Sequence, residues 1–392
     1  MYKRLLTISV LILMSVPALD CRAGRIDRDI DRALKVSAAQ MKGLAGVYYD
    51  SDKFPRSWDP SKQKYKDFAY RDWTCGFYPG SLWIYYRMTG DEQAKALAQH
   101  FTDKVKGVPY MTHTHDLGFM VMCSYGQQYK AEGDEISKAA ILQTAASLST
   151  RFNPQIGLIR SWNFGKWNYP VIIDNMMNLE LLFEASRLGG DPSYARIAIS
   201  HADKTMQNHF REDNSSWHVV SYNDDGSVEC KNTHQGYSDD SRWSRGQAWG
   251  LYGYTVCYRY TKDPRYLEQA KKIAELIMTL PDMPSDLIPY WDYDAPGIPN
   301  EPRDASAAAI TASALLELQG MVEKPLSRKY IKYAKKIISS LCSREYLAEE
   351  GTNGWFILKH STGAASLGSE IDVALNYADY YFLEAVQRYR QL

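Results

Sequence analysis

Apolar and polar residues recur at helical spacing along most of the chain, and they do so in pairs of helices. In each pair the first helix is apolar on nearly all sides, and the second carries Lys, Gln or Glu on one face. A short turn joins the two, because Gly ends a helix, Asp caps the next one and Pro is tolerated in its first turn. These turns lie at residues 89–91, 132–134, 189–192, 261–264 and 323–325.

This pattern predicts an all-α fold, a barrel of six helical hairpins or (α/α)6 barrel, formed as one domain by residues 23–392. Five inner helices are predicted at 80–88, 118–129, 175–188, 247–260 and 305–322, each followed by an outer helix. The amphipathic segment 27–44 and the apolar segment 371–389 are expected to form the sixth pair and close the ring. An open solenoid of helix pairs is the structural alternative, disfavoured because the repeats are long and irregular.

Composition excludes several classes of partner. The chain has 392 residues, 45% of them hydrophobic, and its 46 Lys and Arg balance 46 Asp and Glu. Because the basic residues are also dispersed, no nucleic acid or charged membrane surface is expected as a partner. The 29 Tyr and 10 Trp are a mild indication of a sugar site, since aromatic faces stack on sugar rings as well as filling cores.

The N-terminal residues 1–22 read as a signal peptide. Lys3 and Arg4 precede an apolar run, residues 5–16, that is too short to span a bilayer. We therefore expect an exported, periplasmic protein with no membrane-spanning segment, a monomer or weak dimer. Lipid anchoring at Cys21 is a weaker alternative. The six cysteines include no Cys-x-x-Cys pair, so a zinc site is not predicted.

Two carboxylates stand at corresponding ends of successive inner helices. Pro170 disfavours helix for the residue before it, which places Asp174 on the first turn of a mostly buried helix. A helix cap is the simpler interpretation of an Asp at this position. Asp116, however, heads the preceding inner helix in the same way, and two carboxylates facing each other across a pocket suit acid/base chemistry on a sugar.

Metal and calcium sites are the less favoured interpretations of other polar clusters. His113-x-His115-Asp116 has the spacing of a metal site but lacks further ligands. The pair Asp239 and Asp240 and the pair Asp292 and Asp294 lack the dense oxygen ligands of a calcium loop, so turns and caps are preferred for them. We expect no metal and no cofactor.

Several motifs, in this order along the chain, resemble those of the unsaturated glucuronyl hydrolases. The resemblance extends from near residue 30 to the end. The motifs are Trp73-Thr74-x-Gly76-Phe77-x-Pro79-Gly80, His115-Asp116-Leu117-Gly118-Phe119, Ile173-Asp174-Asn175-Met176-Met177-Asn178, the loop 234–250, Tyr290-Trp291-Asp292-x-Asp294-Ala295-Pro296 and the closing stretch 379–385.

The resemblance implies the same barrel and a hydrolase acting on 4,5-unsaturated uronyl disaccharides and oligosaccharides that polysaccharide lyases release from glycosaminoglycans. It implies Asp174 as general acid/base and Asp116 as its partner carboxylate. The substrate-binding residues implied are Trp73, His115, Trp162, His218, Gln235, Arg245, Trp249, Ser366 and Ser369. A Ser-x-x-Ser-x-Lys pattern typical of sulfate-preferring members ends here without its Lys, at Ile371.

Three questions remain open at the level of the sequence. An unsaturated rhamnogalacturonyl hydrolase shares the fold and the hydration chemistry, and a non-catalytic periplasmic glycan-binding protein is the alternative from another class. Arg245 is expected to hold the substrate carboxylate as a bidentate partner. In the competing interpretation Arg245 forms a structural ion pair with Asp239 or Asp240.

Overall fold

Antiparallel helix pairs fill residues 24–392, the part of the chain that this computed structural model describes. The predicted signal peptide and Cys21 lie outside the described residues. The helices are α1 Arg25–Tyr48, α2 Phe77–Thr89, α3 Glu92–Asp103, α4 Leu117–Met122, α5 Tyr125–Glu132, α6 Glu135–Ser149, α7 Leu179–Arg187, α8 Ser193–Asn208, α9 Ser244–Thr261, α10 Pro264–Thr279, α11 Ala305–Leu318, α12 Lys324–Leu341 and α13 Asn376–Arg390. Within the described residues, no helix is long and apolar enough to cross a bilayer.

The inner helices form a closed ring. Going around it, α2 packs on α5, α4 on α7, α7 on α9, α9 on α11, α11 on α13, and α13 returns to α2. The helix α1 lies outside this ring. Arg390 of α13 pairs with Asp31 of α1, Arg32 donates to the Cys342 carbonyl at the end of α12 (2.6 Å), and Gln40 donates to the Phe356 carbonyl (2.8 Å). The predicted (α/α)6 barrel is therefore confirmed, and the open solenoid is wrong.

Glycines let the inner helices touch along their backbones. A Cβ added to Gly118 would lie 2.4 Å from the Asn178 Cα atom, and one added to Gly253 would lie 2.4 Å from the Met176 Cβ atom. The Asn178 side chain also accepts a hydrogen bond from the Phe119 N–H group (2.9 Å). These contacts press the helix that Asp116 heads against the segment that carries Asp174.

Ion pairs close the end of the barrel at which the inner helices terminate. Arg259 lies 3.0 Å from Glu180, Arg388 lies 2.7 Å from Glu317, and Tyr252 donates to Glu384. Burial raises the pKa of Glu180, but Lys130 and Arg259 outweigh it and lower that pKa to about 2. The pairing of Glu180 therefore stabilises the fold above its unfolded pKa and is lost only as the pH falls through about 2. We call this the closed end.

Small antiparallel sheets at the opposite, open end were not predicted. One sheet has the order β2 Lys64–Ala69, β1 Lys53–Asp59, β8 Ala374–Leu375. A second pairs β3 Phe152–Asn153 with β4 Leu158–Ile159. The third has the order β5 Tyr169–Ile172, β6 Val219–Tyr222, β7 Val228–Asn232. All three belong to the long loops that enter the inner helices, so they shape the opening.

Three predicted inner helices differ from the structure in detail. The helix predicted at 118–129 is interrupted between α4 and α5, where Ser124 turns its hydroxyl back to the Met120 carbonyl (2.6 Å). The helix predicted at 175–188 begins as a 3₁₀ turn, Ile173–Asn178. The one predicted at 371–389 starts only at Asn376, because residues 360–373 fold into an antiparallel strap across the open end.

Candidate active site

Asp174 lies on the first turn of the 3₁₀ segment, as the sequence predicted. Strand β5 leads directly into this turn, and its pairing with β6 fixes where the turn begins. The residue is 8% exposed. Its side chain caps no helix, and its Oδ2 atom has no hydrogen-bond partner among the described residues. The helix-cap interpretation is therefore wrong, and this oxygen is left without a partner from the described residues.

The surroundings of Asp174 hold a proton on it near neutral pH. Burial is the main cause, Arg245 opposes it, and the charge of Asp116 adds to it, so the pKa rises from 3.8 to about 7. The indole N–H of Trp249 faces the carboxyl group and lowers its pKa slightly, although the two are not aligned as a full hydrogen bond. A carboxylic acid with this pKa can both donate and accept a proton at neutral pH.

His218 presents a neutral N–H group to Asp174. Its Nδ1 atom accepts hydrogen bonds from the backbone N–H groups of His234 and Gln235, both at 3.0 Å. The ring proton is therefore on Nε2, which lies 3.7 Å from Asp174 Oδ2. Burial holds the pKa of His218 well below its ordinary value, so the imidazole stays uncharged. The family resemblance implied this residue, and the structure places it beside Asp174.

Asp116 stands where α4 begins, with 20% of its side chain exposed. Its Oδ2 atom accepts from the Thr114 hydroxyl (2.9 Å), and its Oδ1 atom lies 3.2 Å from His115 Nε2. Burial lowers the pKa of His115, so a neutral imidazole lies beside the carboxylate. Asp116 is thus a fixed, more exposed carboxylate beside a buried acid, and its own charge is one cause of the raised pKa of Asp174.

Arg245 is committed to an ion pair inside the protein. Its Nη1 atom donates to Asp304 and to the Thr362 carbonyl, both at 2.7 Å, and its Nη2 atom donates to the Gly363 carbonyl (2.5 Å). The side chain is 1% exposed and that of Asp304 is fully buried. Asp304, and neither Asp239 nor Asp240, is its partner. Arg245 therefore holds the strap and opposes the rise in the pKa of Asp174. Its role as the anchor of the substrate carboxylate stays a prediction.

Three further predicted residues surround the same pocket. Gln235 is half-buried and donates to the Gly363 carbonyl (3.1 Å), which also accepts a hydrogen bond from Arg245. Trp249 is fully buried beside Asp174. Trp73 is partly exposed and packs edge-on against Phe119. Of these three, Gln235 and Trp73 retain exposed surface for a ligand.

Trp162 belongs to an aromatic wall that the sequence only partly indicated. Its ring stacks on Phe164 with centroids 5.0 Å apart and contacts Trp167 (5.4 Å) and His234 (5.3 Å). These four residues are the aromatic wall. The indole N–H of Trp162 is buried and has no acceptor among residues 24–392. The signal for Phe164 and Trp167 was the aromatic spacing of residues 162–167 in an entry loop.

Ser366 and Ser369 lie on the strap, and their hydrogen bonds are made with residues other than Asp174. The Ser366 hydroxyl donates to the His234 carbonyl (3.2 Å), which joins the strap to the aromatic wall. Ser369 accepts from Lys66 Nζ (3.1 Å), a lysine on β2 that no sequence motif indicated. Whether the two serines bind substrate stays a prediction.

The suspected cation ligands have structural partners. Asp292 accepts from the Tyr237 N–H group (2.9 Å) and the Ser241 hydroxyl (2.7 Å), and Asp294 pairs with Arg242. His113 is exposed while His115 is buried. Across residues 24–392, no group of three or more His, Cys, Asp or Glu side chains is arranged to hold a metal ion. The expected absence of a metal stays a prediction.

A six-hairpin helical barrel whose open end holds a buried acid and a second carboxylate fits a glycoside hydrolase of the α/α-barrel type. The chain belongs to Glycosyl Hydrolase Family 88, whose sequence profile matches residues 50–391. It is therefore an enzyme, and the non-catalytic glycan-binding alternative is wrong.

Relatives of known structure and name agree with this assignment. The unsaturated glucuronyl hydrolase of Formosa agariphila is 44% identical over 346 residues, which cover 87% of this chain and 86% of the relative. The unsaturated chondroitin disaccharide hydrolase of Streptococcus pyogenes serotype M1 is 32% identical over 369 residues, 92% and 91% of the two chains. The crystal structure of an unsaturated glucuronyl hydrolase specific for heparin shares 48% identity and a TM-score of 0.90, covering 93% and 98%. The resemblance seen in the motifs is thus confirmed.

Proposed function

We propose that this enzyme removes the 4,5-unsaturated uronic acid from the non-reducing end of glycosaminoglycan disaccharides and oligosaccharides. The single observation that carries the proposal is the buried, proton-holding Asp174 beside the neutral His218 and the carboxylate Asp116. An unsaturated uronate is a vinyl ether, and its double bond reacts by accepting a proton. The donor must therefore still hold its proton at neutral pH. Names of the relatives at 44% and 32% identity support the same substrate class.

In this mechanism Asp174 delivers its proton to carbon 4 of the unsaturated ring. Positive charge then develops at carbon 5 and the ring oxygen, where the carboxylates of Asp174 and Asp116 stabilise it. Water adds at carbon 5, and Asp174 accepts the proton that the water loses. The resulting hemiketal opens and expels the second sugar, so the glycosidic bond breaks without a protein group attacking it.

One assay tests the proposal directly. The conjugated double bond absorbs ultraviolet light, and its hydration abolishes that absorbance. Purified protein should therefore remove the absorbance of an unsaturated glycosaminoglycan disaccharide and leave that of an unsaturated rhamnogalacturonyl disaccharide largely unchanged. The reverse preference would favour the rhamnogalacturonyl alternative, and no loss with either substrate would contradict the proposal.

The rate should fall as the pH rises above about 7, because only the protonated form of Asp174, with its pKa of about 7, can supply the proton. We expect kcat/KM to decline about tenfold for each pH unit beyond that point. Neutral His218 contributes no step in this range, since its pKa is held low by burial.

Asp379 provides the control for this pH profile. Burial raises its pKa to about 8, but its carboxyl group accepts from the Ile357 and Leu358 N–H groups at 2.9 and 2.8 Å, in a structural role. The Asp379→Asn variant should keep the decline above pH 7 in kcat/KM. A decline that vanished in this variant would mean that Asp174 is not the titrating acid.

Chelation should leave the rate unchanged. Every charge that the mechanism needs comes from Asp174 and Asp116, and the neutral His218 adds only an N–H group beside them. We expect equal kcat before and after dialysis against a strong chelator, measured with the ultraviolet assay. A rate lost on dialysis and restored by added divalent metal would instead support a metal site at His113 and His115.

We also propose that the protein is exported to the periplasm, on the support of the apolar run at residues 5–16 behind Lys3 and Arg4. Cell fractionation with an antibody against the mature chain tests this, and a purely cytoplasmic signal would contradict it.

A further inference from the structure

Phe164 exposes an aromatic ring at the open end of the barrel. The side chain is 58% exposed, yet its ring stacks nearly parallel on Trp162, with 14° between the planes. One face of the ring is therefore supported by protein and the other is open to solvent. Large exposed apolar side chains that are held in place in this way mark binding surfaces more often than isolated exposed residues do.

Two arginines hold the loop that carries Phe164, residues 162–168, in place. Arg160 donates to the carbonyl groups of Trp162 (3.0 Å) and Asn168 (2.9 Å), which are the two ends of the loop. Arg151 donates to the Asn163 side chain (3.0 Å) inside it. The ring is therefore presented in one position before any ligand arrives, and a ligand that stacks on it does not have to order the loop.

The aromatic wall leads from the acid outwards to Phe164. Asp174 lies 3.7 Å from His218, whose ring centroid lies 6.4 Å from that of His234. The centroids of His234 and Phe164 are 6.1 Å apart. Each of the last two steps is comparable to the length of one pyranose ring. These contacts connect Phe164 to Asp174 through His218 and His234, and the exposure of Phe164 makes it the solvent-facing end of that series.

Lys166 adds a positive charge to the same loop, two residues after Phe164 and beside the Trp167 ring of the aromatic wall. It is exposed, its Nζ atom lies 5.8 Å from the centre of the Trp167 ring, and it forms no ion pair with another described residue. Glycosaminoglycans alternate uronic acids with amino sugars, so the third sugar of a lyase product again carries a carboxylate. A cation on the loop that presents an exposed aromatic ring matches such a sugar.

We propose that Phe164 and Lys166 bind the third sugar, a uronic acid, of substrates longer than a disaccharide. The sugar stacks on the open face of Phe164, and its carboxylate faces the Lys166 ammonium group. This site rests on the proposed function, because it extends the same substrate beyond the bond that is cleaved. It gives the enzyme a preference for tetrasaccharides over disaccharides that the catalytic pocket alone does not provide.

The test compares an unsaturated glycosaminoglycan disaccharide with the corresponding tetrasaccharide. The Phe164→Ala variant should lower kcat/KM for the tetrasaccharide about three- to tenfold, the range of a lost aromatic contact, and leave the disaccharide unchanged. The Lys166→Ala variant should act on the tetrasaccharide alone, and its effect should shrink as salt is added.

Two controls match these variants. Lys231 is a lysine that also lies over a tryptophan ring, 3.9 Å from the centre of Trp217. It lies opposite Val220 in the sheet, whereas Trp162 of the aromatic wall packs on Val219, which faces the other side of the sheet. Lys231→Ala should leave both substrates unchanged. Ile136, which is 71% exposed on α6 near the closed end, is the exposed apolar control for Phe164.

Equal effects of Phe164→Ala on both substrates, or no effect on either, would overturn the third-sugar site. A wild-type enzyme that cleaves the disaccharide but not the tetrasaccharide would overturn it as well. If the wild type cleaved neither, the proposed function would fail. Calorimetry would then still test the third-sugar site by measuring tetrasaccharide binding to the wild type and to the Phe164→Ala variant. The site requires that the variant bind the tetrasaccharide more weakly than the wild type does.

Discussion

Replacing Asp174 by asparagine is expected to lower kcat at least about a hundredfold while KM for an unsaturated disaccharide changes little. The amide has the size of the carboxyl group but cannot deliver a proton to carbon 4. The measurement is the loss of ultraviolet absorbance under saturating substrate. A variant that kept near wild-type kcat would show that another group supplies the proton.

The stability of the same variant separates lost chemistry from lost structure. The folded-state pKa of Asp174, about 7, lies above its ordinary 3.8, so the native state prefers the protonated form. Stability associated with this group is complete at low pH and is lost as the pH rises through about 7. The asparagine variant carries no such loss. Its melting temperature should therefore equal or exceed that of the wild type above pH 7, and a marked decrease would attribute the inactivity to unfolding.

Replacing Arg245 by alanine should cost about 3–5 kcal/mol of unfolding free energy, because it leaves the Asp304 carboxylate buried without a partner. The variant also loses the bonds to the Thr362 and Gly363 carbonyls, which hold the strap. The measurement is denaturant unfolding of the variant and the wild type at one pH.

Arg242 offers the matched control three residues away. Its ion pair with Asp294 is more exposed, with 27% and 34% of the two side chains accessible, so Arg242→Ala should cost only about 0–1 kcal/mol. KM distinguishes the two roles of Arg245. If Arg245→Ala kept wild-type stability but raised KM for the disaccharide strongly, the guanidinium would be a substrate anchor after all.

The sequence predicted the helices and the position of Asp174 because both depend on local chemistry. Turns such as Gly133-Asp134 end one helix and cap the next, and Asp134 does accept from the Ser137 N–H group (2.8 Å). Pro170 likewise places the start of the segment that carries Asp174. Such signals lie within a few residues of their effect, so no knowledge of the rest of the fold is needed.

The missed features depend on residues far apart in the chain. Arg245 and Asp304 are 59 residues apart, and Lys66 and Ser369 are 303 apart. The short strands carry no long alternating pattern, since β5 is buried at every position and pairs only because the barrel brings β6 beside it. Partners chosen by the tertiary fold cannot be read from local residue patterns.

The closure of the ring by α1 also constrains how the protein is made. Arg32 and Gln40 bond to carbonyl groups that follow them by 310 and 316 residues. Among the described helices this one is synthesised first, and it must wait until nearly the whole chain has been made before its partners exist. Until then the apolar faces of the inner helices lack their last neighbours, and such late, long-range closure favours slow folding and a need for chaperones.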